Sequence, residues 1–139
     1  MASLPISTLK TNMPIGVAGS ITGSDMHDLL DTLENRTTQA VSRKTANYTA
    51  TANDNRLIII FNAASAVTLT LPNTLPEGWE CGVLQMGAGQ VTVSVAGSPP
   101  ISRGGHTKTA GQYAMASCFV ESNSNGTSAV VILGGDTAT

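Results

Sequence analysis

Gln85-Met86-Gly87-Ala88-Gly89-Gln90-Val91-Thr92-Val93-Ser94-Val95 is the stretch that decides the fold class. Val91, Val93 and Val95 fall on one side of an extended segment and Thr92 and Ser94 on the other, the period of two that marks a half-buried β-strand. Gly87-Ala88-Gly89 ahead of it reads as a tight turn, so the apolar segment Trp79 to Met86 and the strand Gln90 to Val95 are expected to form a hairpin.

The same pattern extends in both directions. Tyr48-Thr-Ala-Thr-Ala52 is a candidate strand before the polar turn Asn53-Asp54-Asn55. Arg56-Leu-Ile-Ile-Ile-Phe61 is a continuous β-branched run of the kind covered on both faces, and it is the expected centre of the core. Val67-Thr-Leu-Thr-Leu71 alternates until Pro72, which cannot donate to a ladder, and Pro76-Glu77-Gly78 turns the chain. Tyr113 to Val120 and Ala129 to Leu133 supply two more strands across the turn Ser122-Asn-Ser-Asn-Gly126. Seven to nine short strands at such spacing predict a mainly β chain: a small β-sandwich or jelly-roll-like domain over residues 46–139.

Upstream the period changes. Met26, Leu29, Leu30 and Leu33 recur at helical spacing within about Gly23 to Thr38, and Thr22 with Asp25 fits a capping box. Residues 21–45 are therefore expected to be one amphipathic helix and a linker. About four turns cannot stand alone in water, so the stripe is an oligomer or docking surface or packs on its own β-domain. Residues 1–20 combine Pro5, Pro14, Gly16 and Gly19 with Leu4, Ile6, Leu9, Ile15 and Val17. They read as an extended attachment arm, able to reach up to ~65 Å, with those five apolar residues as its contacts.

Composition limits function. The chain has 139 residues, 41% hydrophobic, 12% charged and only 4% aromatic, which suits one small aliphatic core supplemented by burial against other subunits. A net charge of −2 with seven scattered basic residues leaves no footprint for nucleic acid. No apolar run is long enough for membrane insertion, and the N-terminus has no export signal, so the three glycosylation-like tripeptides at Asn35, Asn47 and Asn125 read as chance.

Catalysis is not expected either. His27 and His106 lie in different regions, and no nucleophile elbow, phosphate loop or zinc spacing occurs, so neither a cofactor nor a metal is expected. Glu77 and Glu80 flank Trp79 in a way that imitates a sugar platform, but turn-edge carboxylates more often serve solubility. Cys81 and Cys118 are too few for a disulfide scaffold. They read as reduced and packed, with a disulfide between them the other reading.

Residues 46 to 120 resemble the small β-modules of tailed-bacteriophage virion proteins, both capsid decoration or head-fibre proteins and tail fibres. The resemblance is carried, in order, by Tyr48-Thr-Ala-Thr-Ala with Asn53-Asp54-Asn55, Leu57-Ile-Ile-Ile-Phe-Asn62, Val67-Thr-Leu-Thr-Leu-Pro72, Pro76-Glu-Gly78, Gln85-Met-Gly-Ala-Gly-Gln-Val-Thr-Val93 and Thr109-Ala-Gly-Gln-Tyr113. It covers just over half the chain, and Ile21 to Leu30 is similar to helical segments that precede such modules. It implies a homotrimer, assembled in a bacterial host's cytoplasm and ending in the virion. Two roles follow as expectations. One is a capsid decoration, or cement, protein whose arm grips the major capsid protein or another virion protein. The other is a tail-fibre or spike module that binds a host-surface glycan through Trp79, His106 and Asn123. The chain lacks the long shaft or separate attachment domain usual in a tail fibre.

Overall fold

The computed structural model describes Gly23, Ser24, Met26, His27 and Leu30 and the continuous stretch 38–139. The chain divides into two units, Met1–Thr38 and Gln39–Thr139. In the first, the five described residues of segment 23–30 are helical, with Met26 and Leu30 half-buried. Leu29, Leu33, the predicted capping residues Thr22 and Asp25, and the arm residues Leu4, Ile6, Leu9, Ile15 and Val17 lie outside the described residues.

The second unit is all β. Its strands are β1 Val41–Lys44, β2 Tyr48–Thr49, β3 Ile58–Phe61, β4 Val67–Leu71, β5 Glu80–Gln85, β6 Val91–Val95, β7 Ile101–Ser102, β8 Lys108–Thr109, β9 Met115–Ser122, β10 Val130–Gly135 and β11 Thr137–Ala138. They form a six-stranded sheet in the order β1-β3-β5-β9-β10-β7 and a five-stranded sheet in the order β11-β8-β6-β4-β2.

Through the first six strands the chain alternates between sheets, and neighbours within each sheet run parallel. It therefore winds in coils, one strand per sheet per coil. Ile58 pairs with Gly82 and Val67 with Val91, an offset of 24 residues in both sheets (82 − 58 and 91 − 67). Ile59 to Leu71 and Val83 to Val95 are consequently two copies of one coil, with Leu69 over Val93 and Thr70 over Ser94.

This corrects the hairpin expected at Gly87-Ala88-Gly89. β5 and β6 lie in different sheets, so the glycines form an arc between sheets, and the parallel half departs from an antiparallel jelly roll. Alternation marks a strand and its buried face but carries no information on partner direction.

The arc explains its own glycines. It stacks on the preceding arc at Asn62 to Ala66, with Gly87 N donating to Phe61 O at 3.1 Å and Gly89 N to Ala63 O at 2.8 Å. A β-carbon on Gly87 would stand 2.2 Å from Ala63 O, and one on Gly89 1.9 Å from Ser65 O.

After β6 the pairing becomes antiparallel: β9 joins β5, β10 joins β9, β8 joins β6 and β11 joins β8. Only β7 returns to parallel pairing, on β10. Ile59, Phe61, Val83, Cys118 and Val120 from one sheet and Leu69, Leu71, Val91 and Val93 from the other share a single core. The β-unit also begins before residue 46. β1 reads Val-Ser-Arg-Lys, an edge strand with no apolar alternation, which is why the pattern in the sequence passes over it.

Candidate functional site

The outward faces of the two sheets differ in chemistry. On the five-stranded sheet the outward residues are hydroxylated: Thr49, Thr70 and Ser94 form one cross-strand row, and Thr68 and Thr92 run into Lys108 in another. On the six-stranded sheet two rows carry large apolar side chains, the second of them continuing from Phe119 into Glu80. Ile60, Leu84 and Met115 form one row, and Phe119, Ile132 and Ile101 another. Val41, Met115, Phe119 and Ile101 are 50%, 50%, 42% and 56% exposed, so this face holds side chains that a solvated sheet would not keep.

Between these rows runs one of small residues. Gly82 and Ser117 sit side by side next to Ile58 and leave a shallow trough. Two hollows of about 230 and 350 Å³ open along it, both bordered by Gln39 and Gly82. The rim is polar. Arg56, held at φ 66°, places its Nε 3.5 Å from Glu80 Oε1, and both side chains are at least half exposed, so the pair adds little stability. Gln39 donates its side-chain amide to the Arg56 carbonyl.

The buried polar groups have structural partners. Asp54, 6% exposed, accepts from Tyr48 Oη at 2.8 Å, Thr51 N at 2.8 Å and Thr51 Oγ1 at 3.2 Å, closing the one-turn helix Ala52–Asp54. Burial, and then the hydrogen bond to Asp54 and its charge, push the Tyr48 hydroxyl above its ordinary 10.0, while Lys44 Nζ sits 3.8 Å over the ring. Gln85 and Thr109 form a second buried cluster. Thr109 Oγ1 donates to Gln85 Oε1 at 2.5 Å and accepts from Val91 N at 3.0 Å, and Gln85 Nε2 donates to Gly87 O at 3.1 Å.

The three residues expected to meet a glycan are not presented as a site. Trp79 is 2% exposed and belongs to the core, with its Nε1 unpartnered, so its ring offers no platform to a sugar. Strand alternation buries it, because Trp79 and Cys81 share the inward side of the segment while Glu80 points out. Asn123 braces loops: its Nδ2 donates to Asn73 O and Leu75 O at 3.0 and 2.8 Å, and its Oδ1 accepts from Ser128 N. His106 is partly buried with Nδ1 3.0 Å from Thr137 Oγ1, tying the loop before β8 to β11.

Among the described residues no group of three or more His, Cys, Asp or Glu side chains could hold a metal ion. Also among them, no helix is long and apolar enough to cross a membrane. Cys81 and Cys118 are free, buried and directly opposite each other on β5 and β9. The apolar outward face went unnoticed in the sequence, although β9 carries the signal: Met115, Ser117 and Phe119 alternate with Ala116, Cys118 and Val120, two sets of comparable hydrophobicity. No protein-family model, characterised protein or solved structure matches the chain.

Proposed function

We propose that the chain is a structural subunit of a tailed-bacteriophage particle, a homotrimeric capsid decoration protein whose β-units meet through the outward face of the six-stranded sheet. The contrast between the two outward faces carries this reading. One is clothed in threonine and serine, the other in isoleucine, leucine, methionine and phenylalanine. Fully burying such a side chain is worth about 1.5–3 kcal/mol, and those on this face are about half covered already, so each adds roughly half of that before the losses of association and several must be covered together.

The charges on that face favour a second copy as the occupant. Arg43 lies on β1 at one border, in the row of Leu84 and Met115, and Glu121 lies on β9 beyond Phe119, diagonally across the trough. A rotation between identical subunits can bring one copy's Arg43 towards another's Glu121, whereas a strongly acidic or basic partner would meet both signs. Within the particle, residues 1–20 bridge neighbouring shell subunits through Leu4, Ile6, Leu9, Ile15 and Val17.

Light scattering on the full chain is expected to give the mass of a trimer. Phe119→Asp should reduce it to the monomer with an unchanged far-ultraviolet spectrum, while Thr70→Asp on the hydroxylated face should leave it trimeric. A trimer that survives Phe119→Asp would place the contact elsewhere. Deleting residues 1–20 is expected to abolish cosedimentation with particles while the β-unit keeps its thermal midpoint; undiminished cosedimentation would remove the arm as anchor.

A further inference from the structure

We infer that Cys81 and Cys118 are a modification site, a dithiol that hydrogen peroxide converts into a cross-strand disulfide at the seam between the parallel and antiparallel halves of the fold. The geometry carries it. The two residues are register partners on β5 and β9, and both side chains point into the core, 3% and 0% exposed. Next to both ends of β5, an odd-numbered residue shares one backbone bond with the residue opposite, Val120 N to Trp79 O at 2.8 Å and Gln85 N to Ala114 O at 3.1 Å. Cys81 and Cys118 therefore occupy a hydrogen-bonded pair, with Cα atoms about 5.5 Å apart, inside the range that a disulfide spans.

The step balances with one peroxide. A cysteine thiolate attacks a peroxide oxygen, the O–O bond breaks, and the departing hydroxide takes up a proton to become water. The sulfur of the facing cysteine then attacks the sulfenic acid, the S–S bond forms and the S–O bond breaks, releasing a second water. Two thiol hydrogens and one peroxide leave as two waters. Its hydrogen bond with Cys118, and then burial, hold the Cys81 thiol above its ordinary 9.0, so the attack is slow at neutral pH. Both sulfurs lie on the core side of the sheet, opposite the hollow over Gly82 and Ser117, so the peroxide reaches them as β5 and β9 open locally.

The site holds whatever the protein's role. Only its timing rests on the virion reading, which has the chain fold in a reducing cytoplasm and leave it with the particle. The test uses purified full-length protein treated with hydrogen peroxide below its melting temperature, then alkylated under denaturing conditions. The expected result is loss of both alkylatable thiols, a mass lower by two hydrogens, a peptide linked through Cys81 and Cys118 within one chain, and a thermal midpoint raised by roughly 10 °C that reductant reverses. Cys81→Ser and Cys118→Ser should each abolish the rise; if either fails to fold, the linked-peptide map of the parent protein decides. Two thiols still alkylatable, a bond between chains, or a lowered midpoint would each overturn the inference. None of those outcomes bears on the trimer mass or on particle binding.

Discussion

Gly89→Ala is expected to destabilise the β-unit by on the order of 4 kcal/mol, a large share of the roughly 5–15 kcal/mol that holds a domain together. The new methyl would stand 1.9 Å from the Ser65 carbonyl oxygen and 2.3 Å from its carbon. These are backbone atoms of the arc below, so no rotamer change relieves the contact. Separating the arcs would break the bonds from Gly89 N to Ala63 O and from Val67 N to Gln90 O, which fix the height of one coil on the next. Gly111→Ala is the matched control, since its position is open and its φ unstrained, and its cost should stay within about 0.5 kcal/mol. Urea unfolding of the two variants against the parent measures the difference.

Thr109→Val is expected to cost about 3 kcal/mol although it changes the shape of the side chain very little. The hydroxyl it removes serves Gln85 Oε1 and Val91 N in a place that water does not reach, and both would be left without that partner. An unpaired buried group costs roughly 1–3 kcal/mol, which sets the scale. Thr109→Ser keeps the oxygen and should recover most of the loss. The double variant Gln85→Leu with Thr109→Val should cost less than the sum of its parts, because the groups act as a unit. Denaturant midpoints for the four proteins complete the cycle.

Much of the fold is legible residue by residue. Val67 to Leu71 and Val91 to Val95 alternate without exception, and the structure buries their odd-numbered members. What alternation leaves out is the partner. Gly87-Ala88-Gly89 carries every sign of a hairpin, yet its glycines are needed because another arc lies against them. The copy spanning Ile59 to Leu71 and Val83 to Val95 was the available clue, since similar strands at a fixed offset stack in parallel as readily as they fold back. Trp79 illustrates the same limit for the site. Between two carboxylates it looks like a surface platform, and only its phase relative to Cys81 and Val83 places it inside. β9 is ambiguous for a physical reason: Ala116 and Cys118 face the core while the larger Met115 and Phe119 face out, the reverse of the usual division.

The stacked arcs tie the coil from β5 to β6 to the length of the coil below it. The coil from β5 to β6 rests on the coil from β3 to β4, with Gly87 and Gly89 seated against the Ala63 and Ser65 carbonyls and its valines over another row of aliphatic side chains. An inserted whole coil would meet its neighbours in phase on both sheets, whereas a few residues more or fewer would set Gly87 and Gly89 out of step with Ala63 and Ser65.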